Sequence, residues 1–294
     1  MAYPIPIAIA DAVTATISRG SPGAILGFTP AHGGCINNGG TIQTSHGDFF
    51  LKWNKTAHLT NMFASEARGL QLLRATTAIH VPEVIAVGQT DIYQYLLLEN
   101  VRAENRRSDY WEMFGRQLAE LHRTHQPYYG LDHNNYIGSL PQFNEPLTSW
   151  CEFFASRRLR PLLDIVIGNN LGPAQWPNKF DLLFNRIDSL LPEESPSLLH
   201  GDLWQGNVIV NPLGAPCLID PAVYHGHREI DLAMTKLFGE FPYEFYSAYS
   251  EQYPLLPGSA ERFDIYNLYP LLVHLILFGT SYVAPIQSTL DKFV

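Results

Sequence analysis

Short apolar runs bounded by turn residues recur in the first hundred positions, and runs of this length predict β-strands. Strands are predicted over residues 41–44, 49–53, 83–87 and 93–98. The turn residues His46-Gly47-Asp48 suit a hairpin between the first two strands. Apolar residues at helical spacing predict a helix after Asn61. Alternating apolar and small residues over residues 5–18 suit a short helix. The N-terminal part of the chain is therefore predicted to be mainly β.

Beyond Asn100 the apolar period changes to that of amphipathic helices. Helices are predicted over residues 110–122, 149–165, 178–191, 229–238, 243–252 and 260–282. Pro192 follows the third of these helices as a stop signal. The strongly apolar run over residues 271–278 is too short to cross a bilayer and is interpreted as part of a buried helix. The pattern as a whole predicts an α+β protein.

Composition narrows the class of protein. The chain has 294 residues, 46% of them hydrophobic, which suits two modest domains or one large one. A net charge of −9 argues against nucleic acid as a main partner, because phosphate contacts need clustered Lys and Arg. Cys35, Cys151 and Cys217 show no metal-ligand spacing, and the N-terminus has no signal-peptide pattern. We therefore expect no disulfide framework, no membrane partner and a reducing cytoplasmic location.

The candidate chemistry lies in one stretch, HGDLWQGN, which runs from His200 to Asn207. Two apolar runs separated by a turn follow it, and the second run ends on Asp220. An Asp on a tight loop, an Asn shortly after it and a second Asp beyond a hairpin form the phosphoryl-transfer constellation of kinase-like folds. Asp202 can orient or deprotonate an attacking hydroxyl. Asn207 and Asp220 can hold magnesium on nucleotide phosphates, since Mg²⁺ prefers oxygen ligands.

Together with IDPA at 219–222 and GHREIDLAM at 226–234, this stretch resembles the fructosamine-3-kinase (ketosamine kinase) family. That family is a branch of the aminoglycoside-phosphotransferase and choline-kinase-like group, and the resemblance extends over nearly the whole chain. It implies a bilobal protein-kinase-like fold. An antiparallel β-rich N-terminal lobe over residues 1–99 would bind the nucleotide. A mainly helical C-terminal lobe over residues 100–294 would carry the catalytic loop and the acceptor site, with the ligands in the cleft between the lobes.

The resemblance places the nucleotide half of the site in the N-terminal lobe. The residues it assigns there are Gly33, Gly34, Lys52, Glu66, Glu99 and Val101. The glycine pair would let backbone N–H groups approach phosphates, although two glycines alone also fit an ordinary turn. Lys52 would contact the α- and β-phosphates and pair with Glu66; the alternatives are a surface lysine and a solvated helix glutamate. The Glu99 carbonyl and the Val101 N–H would contact the adenine edge, and a plain strand running into a loop fits that pattern equally well.

In the acceptor half, the resemblance makes Asp202 the catalytic base and Asn207 and Asp220 the magnesium ligands. His200 is expected to be structural, packing and hydrogen-bonding the catalytic loop. Asp231 is expected to cap a helix while it braces the same loop.

Other side chains near these motifs have two interpretations each. Trp204 either faces the acceptor pocket, where an indole can lie against a sugar-amine, or packs in the core. The same site could also be lined by Trp150, Arg157 and Arg158. For the two arginines, the alternative is a solvated side chain. Both interpretations of each residue stay open at this point.

Cys35 follows the glycine pair. It is either an exposed, redox-sensitive thiol above the ATP phosphates or a small buried apolar residue. His225 and His227 have no companion ligands at zinc spacing, so we do not predict a zinc site there.

The predicted activity is an ATP- and Mg²⁺-dependent phosphorylation of the sugar 3-hydroxyl of ketosamines, of the fructosamine or ribulosamine type. The acceptor would be a small-molecule or protein-bound ketosamine, and the biological role deglycation repair by a monomer or weak dimer. One alternative is a kinase for an aminoglycoside or choline. Another is a catalytically inactive nucleotide-binding protein. Such proteins usually lose the lysine or a metal ligand, whereas Lys52, Asn207 and Asp220 are all present.

Overall fold

The structure is a computed structural model that describes residues 5–18, 23–31, 37–57, 59, 61–102 and 104–294. Gly33, Gly34 and Cys35 lie outside the described residues. Contacts group the chain into two compact units. The first unit comprises residues 1–108 and 209–219, and the second comprises residues 109–208 and 220–294. The domain division expected at residues 99 and 100 stays a prediction.

The first unit is built on a five-stranded antiparallel sheet. Its elements are α1 (Ile7–Ile17), β1 (Ile25–Pro30), β2 (Asn38–Thr44), β3 (Gly47–Lys55), α2 (Met62–Ala75), β4 (Val84–Gln89) and β5 (Tyr93–Glu99). The strand order is β1-β2-β3-β5-β4. The predicted hairpin is present: Thr44 pairs with Gly47 across a two-residue turn, and Gly47 has a φ of +112° that suits glycine.

The two faces of this sheet bury different helices. On one face, Ile9, Val13 and Ile17 of α1 form a core cluster with sheet residues that include Leu51 and Leu97. These α1 residues recur every four positions, which gives the helix one apolar side. Successive side chains of a strand point to opposite faces, so Lys52 points away from this cluster and towards α2. The alternation of β3 thus determines which helix Lys52 meets.

From residue 109 onwards the chain is mainly helical, with short strands between the helices. The elements are α3 (Tyr110–Leu121), β6 (Asn135–Ile137), β7 (Leu140–Gln142), α4 (Trp150–Phe153), a π-helical segment (Phe154–Leu159), α5 (Arg160–Gly168), α6 (Trp176–Phe184), α7 (Ile187–Leu190), β8 (Ser197–Leu199), a 3₁₀ turn (Gln205–Asn207), β9 (Val208–Val210), β10 (Pro216–Leu218), β11 (Tyr224–Gly226), α8 (Glu229–Leu237), α9 (Tyr243–Gln252), α10 (Ser259–Phe278), a second 3₁₀ turn (Thr280–Tyr282) and α11 (Val283–Phe293). The predicted α+β class is confirmed.

Two of the predicted helices are interrupted. The helix predicted over residues 149–165 contains the π-helical segment before α5, and Pro161 lies in the first turn of α5, where a missing N–H costs little. The helix predicted over residues 178–191 begins earlier and is divided into α6 and α7. The buried run over residues 271–278 lies within α10, as predicted. Among the described residues, no helix combines the length and the apolar character that crossing a bilayer requires.

The β9–β10 hairpin packs almost entirely within the first unit, although it follows the catalytic loop in sequence. The Leu218 N–H donates to the His80 carbonyl oxygen at 3.0 Å, and Asn211 Nδ2 donates to His80 Nδ1 at 3.2 Å. Cys217 and Leu218 are fully buried. The chain therefore leaves the second unit directly after Asn207 and Val208 and returns to it at Asp220.

Candidate active site

The catalytic loop begins where β8 ends. β8 pairs antiparallel with β11, with Leu199 opposite Tyr224, so the loop after Leu199 lies beside the chain that precedes Tyr224. The Ala222 N–H donates to the His200 carbonyl oxygen at 2.9 Å. Gly201 has a φ of +80°, and a Cβ at this position would lie 2.1 Å from the Ala222 carbonyl oxygen. Only glycine allows this approach, which explains the HGD sequence in backbone terms.

Asp231 holds the same loop through its carboxylate. Its Oδ2 atom accepts the His200 N–H at 2.7 Å, and its Oδ1 atom accepts the Gly201 N–H at 2.9 Å. Asp231 is the third residue of α8 and not its cap, so the predicted capping role is wrong, although the helix begins at Glu229 as predicted. A residue that braces the catalytic loop must bind its backbone, and Asp231 does so through these two hydrogen bonds.

A buried histidine supports Asp231 from the other side. His122 Nε2 lies 3.2 Å from Asp231 Oδ2, and His122 Nδ1 lies 2.8 Å from the Tyr249 hydroxyl oxygen. Burial lowers the pKa of His122, which favours the neutral ring. Because Asp231 can only accept, Nε2 carries the proton and Nδ1 accepts from the Tyr249 O–H. The loop is thus anchored through three buried side chains.

Asp202 is held by Asn207. The Asn207 Nδ2 atom donates to the Asp202 carbonyl oxygen and to Asp202 Oδ2, both at 2.8 Å. The Asp202 N–H donates to His200 Nδ1 at 3.3 Å, which is the structural contact expected of His200. Burial raises the pKa of Asp202 to about 7; the negative charges of Asp220 and Asp231 add to the rise, and the Asn207 hydrogen bond opposes it.

Asp220 lies where the chain re-enters the second unit. Its φ of +55° is in the left-handed region, which Asp tolerates better than most residues, and Pro221 follows it. Its negative charge raises the pKa of Asp202, so the two carboxylates lie close enough to repel each other. The side-chain nitrogen of Asn207 donates its hydrogen bonds to Asp202. The side-chain oxygen of Asn207 is therefore the atom that can bind a cation. Two carboxylates and an amide oxygen are the donors that a divalent hard cation prefers, so these residues fit magnesium.

In the first unit, Lys52 and Glu66 form the predicted ion pair. Lys52 Nζ lies 2.7 Å from Glu66 Oε1, and the two side chains are only 8% and 10% exposed. A surface lysine and a solvated glutamate are therefore excluded. Glu99 is the last residue of β5, and its carboxylate accepts the Glu83 N–H at 3.0 Å. Val101 lies two residues beyond, outside regular structure.

Trp204 is half-buried in the second unit. Its ring meets the Phe238 ring edge to face, with 6.2 Å between the centroids. The indole also covers Gly206, where a Cβ would lie 2.3 Å from the ring. One part of the indole therefore packs on protein while the rest is accessible.

Two neighbouring predictions, for Trp150 and Arg158, are corrected. Trp150 is 1% exposed and belongs to an aromatic core with Phe153 and Phe154. Arg158 is fully buried, so the solvated interpretation is wrong for this residue. Arg157 is partly buried and pairs with Glu145 at 2.8 Å.

His225 and His227 are both buried, and the described residues contain no group of three or more potential metal ligands among His, Cys, Asp and Glu.

Sequence reasoning also missed four side chains that organise the site: His122, Tyr249, Asn135 and Gln142. His122 continues the apolar face of α3 past Leu118, and a polar residue at a core position was the only available signal.

Comparisons with known proteins identify the relatives of this chain. The sequence profile of the fructosamine kinase family matches residues 9–294. A probable ketoamine kinase of Vibrio parahaemolyticus is 40% identical over 266 residues, which cover 89% of this chain and 90% of the relative. The chloroplastic protein-ribulosamine 3-kinase of Oryza sativa subsp. indica is 35% identical over 283 residues, which cover 95% of this chain and 82% of the relative.

The fold comparison leads to the same group. A crystal structure described as a fructosamine-3-kinase from Haemophilus somnus matches with a TM-score of 0.87 and 30% identity over 96% of both chains. Structures of aminoglycoside phosphotransferases, at 14% identity, share the kinase-like fold alone. The profile spans nearly the whole chain, and the relatives are matched over most of their own lengths. The chain therefore belongs to the fructosamine kinase family.

Proposed function

We propose that this protein is an ATP-dependent phosphotransferase that phosphorylates the 3-hydroxyl of ketosamines of the fructosamine or ribulosamine type. The observation that carries the proposal is the arrangement around Asp202: a carboxylate fixed by Asn207, close to Asp220, on a loop anchored by Asp231. This is the set of groups that transfer of a phosphoryl group to an alcohol needs. Family membership supports a ketosamine as the acceptor, and relatives described as 3-kinases support the 3-hydroxyl.

In the proposed reaction, Asp202 accepts a hydrogen bond from the acceptor hydroxyl and aligns its oxygen with the γ-phosphorus. The new O–P bond forms as the bond from the γ-phosphorus to the ADP oxygen breaks, and the hydroxyl proton passes to Asp202. Asn207 keeps the carboxylate in a single orientation throughout. The Asn207 side-chain oxygen and the Asp220 carboxylate would hold magnesium, which when bound would supply positive charge near the phosphates.

The ion pair in the first unit completes the proposed machinery. Lys52 is held by Glu66, which fixes the ammonium group for contact with the α- and β-phosphates. We further propose that the accessible part of the Trp204 indole lies against the sugar-amine. The phosphorylated ketosamine is labile, so the biological outcome would be removal of sugar adducts from amines, including protein lysines.

The test is an ATP-consumption screen of the purified protein over a panel of acceptors. The panel contains fructosamine and ribulosamine adducts of a small amine and of a lysine-rich protein, the parent ketoses, an aminoglycoside and choline. We expect turnover only with the ketosamines, and phosphorus–proton coupling in the NMR spectrum of the product that assigns the phosphate to O3. Turnover of the aminoglycoside or choline without turnover of any ketosamine would refute the proposal. So would magnesium-dependent ATP binding without phosphorylation of any panel member.

A further inference from the structure

The segment from Asp220 to Val223 joins the proposed metal ligand to β11. Asp220 has the left-handed φ of +55°, and Pro221 has no N–H to donate. The Ala222 N–H reaches the catalytic loop through its bond to the His200 carbonyl oxygen at 2.9 Å. A residue in an uncommon conformation keeps it only when the surrounding structure enforces it. The position of Asp220 therefore depends on the contacts that the rest of this segment makes with neighbouring elements.

Two buried amide side chains provide those contacts. Gln142 Nε2 donates to the Ala222 carbonyl oxygen at 3.0 Å, and Asn135 Nδ2 donates to the Val223 carbonyl oxygen at 2.8 Å. Gln142 and Asn135 face each other across the β6–β7 ladder, and their side chains are 1% and 6% exposed. The same two-stranded hairpin thus binds two consecutive carbonyl groups, two and three residues after the proposed metal ligand.

The orientation of both amides is fixed by further hydrogen bonds. The Tyr269 hydroxyl donates to Gln142 Oε1 at 2.7 Å, which turns the Gln142 NH₂ group towards the Ala222 carbonyl. Asn135 Oδ1 accepts from Gln142 Nε2 and from Asn144 Nδ2, both at 2.8 Å. A fully connected buried network of this kind specifies one arrangement of the backbone it holds.

The network ends on the buried Arg158. Its Nη2 atom donates to Asn144 Oδ1 at 2.7 Å, and its guanidinium lies 3.8 Å from the centroid of the Tyr224 ring. Tyr224 is the residue that directly follows Val223. The network thus holds the chain from Ala222 to Tyr224 by two carbonyl groups and one aromatic ring.

We propose that Gln142 and Asn135 are positioning residues that determine where Asp220 lies relative to Asp202. Neither residue touches substrate, nucleotide or metal in this proposal, which rests on the proposed function. They act on the backbone two and three residues after Asp220, while the Ala222 N–H joins that backbone to the loop that carries Asp202. The predicted consequence of losing them is weaker binding of magnesium with ATP, with ATP binding in the absence of magnesium unchanged.

The experiment compares three variants with wild type. Gln142→Met retains the length of the side chain and removes its hydrogen bonds. Tyr269→Phe leaves Gln142 in place and removes only the hydroxyl that orients it. Tyr266→Phe is the matched control, because Tyr266 lies one turn away on α10, is 1% exposed, and its hydroxyl makes no hydrogen bond to any described residue.

The main readout is calorimetric ATP binding with and without Mg²⁺, and thermal unfolding of each variant is measured alongside. Residues that orient metal ligands typically contribute about 10- to 100-fold to metal affinity or activity. We therefore expect Gln142→Met to lose about 10-fold or more of the strengthening by magnesium, Tyr269→Phe to lose part of it, and Tyr266→Phe to retain it. Magnesium-free ATP affinity should be the same in all four proteins.

Each outcome has a defined meaning. If Gln142→Met and Tyr269→Phe both show the wild-type response to magnesium, the positioning role is wrong. If Tyr266→Phe loses as much as Tyr269→Phe, the effect reflects general packing and the proposal is equally wrong. Should Gln142→Met not fold, Tyr269→Phe alone decides between these outcomes. A wild type in which magnesium does not strengthen ATP binding would refute the proposed function itself, so the two failures are distinguishable.

Discussion

The Asn207 side-chain nitrogen lies 2.8 Å from one carboxylate oxygen of Asp202 and 2.8 Å from the carbonyl oxygen of the same residue. This double contact fixes the side chains of both residues. It directs the Asn207 nitrogen to the proposed base and leaves the Asn207 oxygen for a cation. One amide therefore separates the two proposed tasks of the loop, proton transfer and metal binding.

Asp202→Asn removes the basic group but retains an oxygen that can accept the Asn207 hydrogen bond. We expect turnover to fall roughly 10²- to 10⁴-fold, the typical contribution of a positioned acid–base group. ATP affinity should remain close to wild type. Asp264→Asn is the matched control, because it makes the same change at a half-exposed carboxylate that binds Lys292. Wild-type turnover by Asp202→Asn would rule out Asp202 as the base.

Asp220→Asn changes the charge at a position where left-handed backbone is required. Asn tolerates this conformation, so the fold should persist while magnesium-dependent ATP binding weakens strongly. Asp220→Gly serves as the backbone control, since glycine adopts the left-handed φ without cost and supplies no ligand. Both variants should lose the magnesium effect in calorimetry. If either retains it, Asp220 is not a metal ligand.

Lys52→Met should reduce both stability and activity, for separate reasons. It removes the lysine that pairs with the buried Glu66 carboxylate, and breaking a buried ion pair in this way typically costs about 3–5 kcal/mol. It also removes the proposed phosphate contact, so the KM for ATP should rise. Urea unfolding and steady-state kinetics measure the two effects.

The double variant Lys52→Met/Glu66→Gln separates these effects. Neutralising Glu66 should restore most of the lost stability, because no uncompensated charge then remains buried. The KM for ATP should stay high. Recovery of the KM together with stability would mean that Lys52 acts only as a structural residue.

Trp204→Leu tests the proposed sugar-amine contact. The loss of an aromatic contact typically weakens binding by about 0.5–1.5 kcal/mol. We therefore expect the KM for a ketosamine to rise by up to about 10-fold. The KM for ATP should not change. Trp111→Leu is the control, since it removes another half-buried indole. The Trp111 ring packs on Phe241, with 5.1 Å between the ring centroids. Equal effects of the two variants on the ketosamine KM would contradict the assignment.

His227 should make stability depend on pH. Burial lowers its pKa to about 3, with Arg228 and Arg262 contributing, while in the unfolded chain its pKa is the ordinary 6.5. Above pH 6.5 both states are neutral and this group has no effect. As the pH falls from about 6.5 towards 3, only the unfolded state takes up the proton, so stability is lost by up to about 1.4 kcal/mol per pH unit.

The comparison of His227→Gln with wild type isolates this contribution. Other buried groups also lose stability in acid, among them His225, whose pKa burial lowers to about 4, and Glu194, whose pKa the Arg228 hydrogen bond lowers. The variant should therefore show a shallower loss of stability between pH 6.5 and 4 in urea titrations. An unchanged slope would mean that His227 takes up a proton in the folded protein.

Much of the fold follows from local pattern. The apolar run Phe49-Phe50-Leu51 placed Lys52 on a buried strand. The HGDLW loop with Asp220 beyond a hairpin could be located from spacing alone. These features depend on neighbours a few residues apart, which a single sequence displays. The start of α8 at Glu229 was predicted correctly, but Asp231 was assigned as its cap although it lies in the first turn, because local signals define helix ends only within a few residues.

Arg158 shows where pattern fails. A charged residue on a predicted helix is normally solvated, yet its hydrogen-bond acceptors come from the loop around Asn144 and its ring contact from Tyr224. These partners are distant in sequence, and the π-helical segment that carries Arg158 departs from a regular helix. Asn135 and Gln142 belong to three-residue strands that are too short to show a period. Their roles depend on tertiary contacts with Ala222 and Val223.

The β9–β10 hairpin makes the first unit discontinuous in sequence, and this affects the order in which the protein can fold during synthesis. When Ser108 has left the ribosome, residues 209–219 have not yet been synthesised. The His80 carbonyl oxygen therefore lacks its Leu218 N–H donor, and the core lacks the side chains of Cys217 and Leu218. At typical elongation rates, the residues up to Ile219 follow roughly 5–20 s later. Until then the sheet can form, but its packing stays incomplete. A fragment ending at Ser108 should therefore be a poor nucleotide-binding module, and the two units should complete their folding together.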